Sequence, residues 1–149
     1  MKTGQNDEVQ TPTALYDDIR RIFGFDFDPA PLVRPPGFDG LVRTTQWGKC
    51  NFVNPPFSNI SAWVQRGLLS KSPCVFLIPA RTNAKYWSDF IWPNAQMLYF
   101  FEQRIAFEGY KKSEQFPTPM LLVLFGFTTE PPVLSTIGGL PVRTVRIVH

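Results

Sequence analysis

Histidine and cysteine are scarce in this chain of 149 residues, and their scarcity excludes several kinds of catalytic site. The single histidine is His149, so we expect no zinc site and no Ser-His or Cys-His catalytic group. Cys50 and Cys74 are the two cysteines, and each lies in an apolar, strand-like run. We therefore predict that both thiols are reduced core residues of an intracellular protein, with a disulfide as the less favoured alternative.

Long apolar runs are also absent. No run reaches the roughly 18 residues that can span a membrane, so no membrane partner is expected. Residues 1–10 are polar and lack the apolar centre of a signal peptide, which predicts a flexible N-terminus. The length suits one domain over residues 1–149, with residues 128–149 as a C-terminal extension that contains a strand.

Acidic residues are missing from the middle of the chain. The net charge is only +3, yet residues 40–88 contain no Asp or Glu. The same span holds six basic residues: Arg43, Lys49, Arg66, Lys71, Arg81 and Lys85. A polyanion such as DNA or RNA is the partner that this distribution favours. The alternative explanation is that the span lacks acidic residues because it contains buried strands, which seldom carry them.

Four residues, Asn54-Pro55-Pro56-Phe57, form a stiff segment that we call the Asn54 loop. Each proline holds φ at about −65° and removes a backbone donor, so carbonyl groups can face a ligand. The Asn54 side-chain oxygen and the Pro55 carbonyl oxygen suit an NH₂ group on a planar ring, with Phe57 free to stack on that ring. Two such hydrogen bonds localise the amine lone pair for attack on a sulfonium methyl group. The alternative is a simple connector between a strand and a helix.

Helical and strand-like patterns alternate along the chain. They predict helices over residues 11–23, 58–69 and 85–90, and strands over 25–28, 49–53, 74–78, 96–101, 104–107, 120–127 and 142–148. Thr11 is the predicted N-cap of the first helix, and Gly24 is placed to end it. Ser58 or Ser61 is the predicted N-cap of the second helix, whose apolar face is formed by Ile60, Trp63, Val64 and Leu68. Continuous apolar runs are typical of parallel strands covered on both faces, so we predict a three-layer α/β domain. Ligands gather at the carboxyl ends of such strands. The turn at Asp28, the Asn54 loop and the loop at Arg81 are therefore expected to line one pocket.

Several short motifs occur in order over residues 7–126. They are Asp7-Glu8, Thr11-Pro12, Asp28-Pro29-Ala30, Asp39-Gly40-Leu41, the Asn54 loop, Pro79-Ala80-Arg81-Thr82, Arg104-Ile105-Ala106-Phe107 and Phe116-Pro117. With these motifs the sequence resembles the phage-type, Dam-like DNA adenine-N6 methyltransferases. The resemblance implies a compact Rossmann-like fold that uses S-adenosyl-L-methionine, with a mostly parallel sheet and antiparallel C-terminal strands. It also implies an intracellular protein, in the bacterial cytoplasm if a phage encodes it.

The resemblance assigns roles to individual residues. Asn54 and Pro55 would hold the adenine amino group, Pro56 would stiffen the loop and Phe57 would stack on the base. Thr11, Pro12, Asp28, Pro29 and Asp39 would bind the cofactor. For Asp39, a turn before Gly40 is an equally good interpretation.

The adenine must be flipped out of a duplex or belong to a single strand, and phosphate contacts must offset the cost of unstacking. The residues expected to contact DNA are Arg81, Thr82, Lys85 and Lys111, with Lys112 beside them. For both Lys111 and Lys112, a solvated loop is the favoured alternative.

One departure from the resemblance leaves other functions open. Methyltransferases of this general fold carry a glycine-rich loop after the first strand, whereas here Asp28-Pro29-Ala30-Pro31 follows it and the next glycine is Gly37. The same amine chemistry also suits RNA or a protein glutamine. A nucleic-acid-binding module that has lost catalysis is the third alternative.

Overall fold

The computed structural model of the chain describes residues 10–107 and 118–149, in which six strands form a mixed sheet shaped as a half-barrel with three short helices. The strands are β1 (Asn51–Val53), β2 (Cys74–Pro79), β3 (Met97–Phe101), β4 (Met120–Phe125), β5 (Thr136–Ile137) and β6 (Leu140–Arg146). The helices are α1 (Thr13–Phe23), α2 (Ile60–Ser70) and the short α3 (Trp92–Asn94). The strand order is β1-β2-β4-β3-β6-β5.

The predicted three-layer, mostly parallel Rossmann-like sheet is wrong. Among the strands of the described residues, β1 and β2 are the only pair that runs in parallel, whereas β4 lies antiparallel between β2 and β3, and β6 runs antiparallel to β3. The apolar runs misled the prediction because they report that both faces of a strand are covered, not the direction in which it runs. A helical segment over residues 87–94 joins β2 to β3, which run in the same direction, but β4 lies antiparallel between them, so these two strands form no second parallel pair.

A small parallel unit nevertheless forms one edge of the sheet. Phe27 makes a parallel bridge to Asn51, and β1 then pairs in parallel with β2. Helix α2 connects β1 to β2 in the order expected of a parallel crossover. Asp28 and the Asn54 loop therefore leave neighbouring segments at the same end of the sheet.

Helix α1 begins one residue later than its sequence suggested. Pro12 is the N-cap and makes no side-chain capping bond, so the prediction that Thr11 caps the helix is wrong. The Thr11 hydroxyl accepts a hydrogen bond from Asn54 instead. Gly24 ends the helix as predicted, with φ at 71° and its N–H donating to the Arg20 carbonyl oxygen. A left-handed residue at this position is the usual helix terminus for glycine.

Other local predictions need smaller corrections. Residues 25–28 form a single bridge rather than a strand, and residues 104–107 form no strand although Ile105 and Phe107 are buried. The second helix is preceded by a 3-10 turn, Phe57–Asn59, and its N-cap is Asn59 rather than Ser58 or Ser61. The third helix is a π-helical turn, Trp87–Ile91, that continues into α3. The predicted C-terminal strand is present as β6.

The core is continuous from α1 to the far edge of the sheet. Every residue of β2 and β4 is buried, which explains their unbroken apolar sequences. Helix α2 buries Ile60, Trp63 and Val64 of its predicted apolar face together with Gly67, whereas Leu68 of that face is only half-buried. A side chain at Gly67 would lie 2.8 Å from the Phe76 ring, so glycine lets α2 approach β2 closely.

The irregular segment 29–48 is held against the core at Gly40. A Cβ atom at Gly40 would lie 1.9 Å from the Pro29 carbonyl oxygen, and the Trp47 indole N–H donates to the Gly40 carbonyl oxygen at 2.8 Å. Close packing at Gly40 therefore fixes the position of the turn that carries Asp28.

Replacing Gly40 with alanine is expected to lower the free energy of unfolding by roughly 3 kcal/mol, because the Pro29 backbone must move to admit the methyl group. The matched control is Gly37→Ala, where φ is 77° and nothing lies within 4 Å of the added atom. That variant should lose only about 1 kcal/mol of backbone strain. Urea unfolding measures both, and equal losses would contradict the close contact at Gly40.

Candidate functional site

A cavity of about 280 Å³ lies where Asp28 and the Asn54 loop leave the parallel edge of the sheet. We call it the Asp28 cavity. Four of the residues singled out from the sequence line it: Thr11, Asp28, Asn54 and Pro56. The structure therefore brings the Asp28 turn and the Asn54 loop together around one cavity. This was expected of two loops that follow parallel segments ending at the same edge of the sheet.

Asn54 is held at the wall of the Asp28 cavity. Its side chain is half-buried, and its Nδ2 atom donates a hydrogen bond of 3.1 Å to the Thr11 hydroxyl oxygen. Thr11 itself is only 5% exposed, so its hydroxyl is a fixed partner. Because the amide nitrogen donates to Thr11, the oxygen Oδ1 is the acceptor atom of this side chain.

The remainder of the Asn54 loop is more deeply buried than its sequence suggested. Pro55 is buried, and Pro56 lines the cavity with φ at −55° and ψ at 129°. Phe57 is only 8% exposed, and its ring packs edge-on against Phe107 at a centroid distance of 6.3 Å. The ring supports the loop from the core and leaves little exposed surface for a planar ligand.

Asp28 places a carboxylate in the same cavity. Its Oδ1 atom accepts a hydrogen bond of 3.0 Å from the Ala30 backbone N–H. Burial raises the pKa of Asp28 to about 6, against the smaller opposing effect of that hydrogen bond. Burial also raises the pKa of the Tyr16 phenol, and the nearby Asp28 charge adds to the rise. The carboxylate is thus poorly solvated and would gain from a ligand that brings a donor or a positive charge.

The other predicted cofactor residues do not line the Asp28 cavity. Pro12 is half-buried at the start of α1, Pro29 is buried, and neither lines the cavity. Asp39 is exposed, and its Oδ1 atom accepts from the Leu41 N–H at 2.9 Å. This contact closes the turn before Gly40 that the sequence offered as the alternative interpretation of Asp39.

The predicted nucleic-acid residues also lie outside the cavity. Arg81, Thr82 and Lys85 are exposed and line no part of it, so the expectation that three loops share one pocket holds for only two of them. Lys85 forms an ion pair of 2.6 Å with Asp89, one helical turn away. Lys111 and Lys112 lie outside the residues that the structure describes, as do Asp7-Glu8 and Phe116-Pro117.

Sequence reasoning missed most of the cavity wall. The further lining residues are Gln10, Thr13, Tyr16, Ala30, Pro31, Leu32, Val33 and Arg34. Thr13 and Tyr16 are three residues apart on α1, a spacing that places side chains on one helix face. Leu32 and Val33 are 43% and 85% exposed at the cavity wall, within a proline-rich loop. Two exposed aliphatic residues in such a loop are the signal that could have indicated a binding surface.

Both cysteines are free thiols, and burial raises the pKa of each to about 11. Over residues 10–107 and 118–149, no group of three or more His, Cys, Asp or Glu side chains could hold a metal ion. Within the same ranges, no helix has the length and apolar character that a membrane crossing requires.

Comparison with known proteins found no family model and no curated protein that matches the sequence. The resemblance to adenine methyltransferases therefore rests on the sequence motifs alone. The Asp28 cavity is the structural feature that bears on function.

Proposed function

We propose that this protein transfers a methyl group from S-adenosyl-L-methionine to the exocyclic amine of an adenine in DNA. The main observation in support is that Asp28 and Asn54 line the same cavity, where a hydrogen bond to Thr11 fixes the Asn54 side chain. This arrangement needs only the parallel edge of the sheet, so it does not depend on the Rossmann-like fold that the structure excludes.

The Asp28 cavity suits the proposed cofactor in size and in chemistry. At about 280 Å³ it is close to the lower end of small-molecule sites, which occupy roughly 300–1,000 Å³. The Asp28 carboxylate would accept from the ribose hydroxyls or the amino group of the cofactor. Arg34 would meet its carboxylate, and Pro31 with Leu32 would cover its apolar surface. When bound, S-adenosyl-L-methionine supplies a methyl group on a positively charged sulfur.

The chain's own contribution is to position the acceptor amine. Asn54 Oδ1 and the Pro55 carbonyl oxygen would accept its two N–H protons, which localises the nitrogen lone pair and removes the need for a strong base. Thr11 holds the Asn54 amide so that this oxygen does not rotate away. The two prolines limit movement of the backbone between these acceptors.

The absence of acidic residues from positions 40–88 supports a nucleic-acid acceptor. This feature does not distinguish DNA from RNA, and the Asn54 chemistry also suits a protein glutamine. A second candidate function is binding without methyl transfer. The low exposure of the Phe57 ring favours it, because stacking on a base needs an accessible ring face.

Labelled methyl transfer to matched acceptors tests the proposal. We expect S-adenosyl-L-methionine to raise the midpoint of thermal unfolding, since a ligand that binds only the folded state stabilises it. We also expect label to appear at adenine N6 in single- or double-stranded DNA. Label in RNA or protein alone would move the proposal to that acceptor. A raised midpoint with no label in any acceptor would favour binding alone, and no change in midpoint at millimolar cofactor would reject the site.

A further inference from the structure

A second cavity, of about 480 Å³, lies at the amino ends of β1 and β2, opposite the Asp28 cavity along these strands. We call it the Arg66 cavity. Its wall comes from the segment before β1, the end of α2 and the turn before β2. The residues that matter here are Arg43, Thr44, Gln46, Trp47 and Arg66.

The Arg66 cavity has a positive lining. Arg43 and Arg66 contribute two guanidinium groups, and no Asp or Glu is among the lining residues. The C-terminus of α2, at Ser70, contributes a partial negative charge of about half an elementary charge, which is smaller than the two positive charges. The cavity therefore favours an anion.

Arg66 is held in place before any ligand binds. Its guanidinium carbon lies 4.9 Å from the centroid of the Trp47 ring, and its NH2 group donates to the Thr45 carbonyl oxygen at 2.6 Å. Trp47 is in turn fixed by its bond to the Gly40 carbonyl oxygen. Stacking on an indole ring orients a guanidinium in one plane, so little side-chain freedom is lost when it binds an anion.

One donor of Arg66 lacks an acceptor in the part of the chain that the structure describes. The Nε atom is buried and makes no hydrogen bond there. Buried donors without partners are rare, because each forgoes the hydrogen bonds that water would supply. The contacts with Trp47 and Thr45 therefore leave this guanidinium incompletely paired.

We propose that the Arg66 cavity binds a phosphate group. The planar fork of a guanidinium matches two oxygens of a phosphate, and Arg43 adds a second charge beside it. The Thr44 hydroxyl and the Gln46 amide are neutral donors for the remaining oxygens. The phosphate comes either from a small molecule or from the backbone of a nucleic acid. This proposal does not rest on methyl transfer at the Asp28 cavity.

NMR of the arginine Nε–Hε groups tests the proposal without any activity assay. The probes are inorganic phosphate, acetate and a single-stranded oligonucleotide of abasic sugar phosphates, all at one ionic strength. We expect inorganic phosphate or the abasic oligonucleotide to shift the Arg66 signal in a saturable manner, and acetate to shift it less. Tighter binding of the oligonucleotide identifies a nucleic-acid backbone, and saturation by inorganic phosphate alone identifies a small phosphate ligand.

Two arginine variants test whether phosphate binding depends on the Arg66 cavity. Arg43 is exposed, so Arg43→Ala should fold normally and weaken phosphate binding roughly tenfold. The matched control is Arg104→Ala, an exposed arginine that lines neither cavity. The proposal is overturned if neither phosphate probe gives a saturable shift, if acetate binds as tightly, or if both variants weaken binding equally.

Discussion

Replacing Asn54 with alanine is expected to lower methyl transfer to DNA by at least about 100-fold, the usual loss when one fixed hydrogen-bonding group is removed from a reacting centre. The loss should fall on kcat for the methyl-transfer step, because the Asn54 oxygen acts on the amine as it reacts. The fold should persist, since Asn54 is half-buried and lies in a loop. Single-turnover transfer and thermal unfolding measure the two effects.

Two further variants separate the chemistry of Asn54 from its packing. Asn59→Ala makes the same change on the adjacent 3-10 turn, at an exposed residue whose side chain makes no capping bond, and should leave transfer unchanged. Thr11→Val removes the oxygen that receives the Asn54 N–H, and should cause an intermediate loss of kcat. Transfer by Asn54→Ala at the wild-type rate would refute the assigned role.

Replacing Asp28 with asparagine is expected to stabilise the protein near neutral pH and to abolish tight cofactor binding. The folded protein raises the pKa of Asp28 from 3.8 to about 6, so between these values it binds more protons than the unfolded chain. Stability contributed by this group is therefore lost as pH rises through that window, and the loss is complete above about pH 7. An amide avoids the cost of a buried charge and can still accept from the Ala30 N–H.

The expected gain for Asp28→Asn at pH 8 is about 1–2 kcal/mol, because partial solvent exposure reduces the limit of about 3 kcal/mol that the pKa rise implies. The gain should shrink as pH falls toward 4, where the wild-type carboxyl becomes neutral. Urea unfolding at several pH values measures it. If the variant is less stable than the wild type at pH 8, burial does not destabilise the ionised Asp28 carboxylate.

Although Asp28→Asn is expected to stabilise the fold, it is expected to weaken cofactor binding. We expect the Kd for S-adenosyl-L-methionine to rise at least roughly tenfold, since an ionised acceptor is lost. The matched control is Asp39→Asn, the same chemical change at an exposed residue that closes a turn outside the cavity. It should alter neither stability nor affinity. Unchanged cofactor affinity in Asp28→Asn would remove Asp28 from the proposed site.

The sequence was most informative where local chemistry decides the structure. Gly24 ends α1 because its left-handed φ suits glycine, and the buried face of α2 follows from the spacing of Ile60, Trp63 and Val64. The positions of β1, β2, β3, β4 and β6 were also found, whereas residues 25–28 and 104–107 form no strand and β5 was not predicted. Strand directions were not found, because the insertion of β4 between β2 and β3 depends on contacts between distant parts of the chain.

The candidate site shows the same division. The meeting of Asp28 with Asn54 followed from two neighbouring parallel segments, which the sequence indicated correctly. Thr11 was predicted to cap a helix, but its hydroxyl instead receives the Asn54 amide, a contact between residues 43 positions apart that no local pattern encodes. Phe57 carries an aromatic ring suited to stacking, yet packing against Phe107 decides where the ring lies. Long-range packing thus accounts for most of what was missed.

The parallel edge that carries the Asp28 cavity comes from one continuous portion of the chain. Phe27, β1, α2 and β2 follow one another over about fifty residues, and the cavity wall is drawn from residues 10–56. The antiparallel strands β4, β3 and β6 come from farther along the sequence and extend the sheet beyond β2 without lining the cavity. Substitutions can therefore accumulate in the second half of the molecule while the Asp28 cavity keeps its geometry.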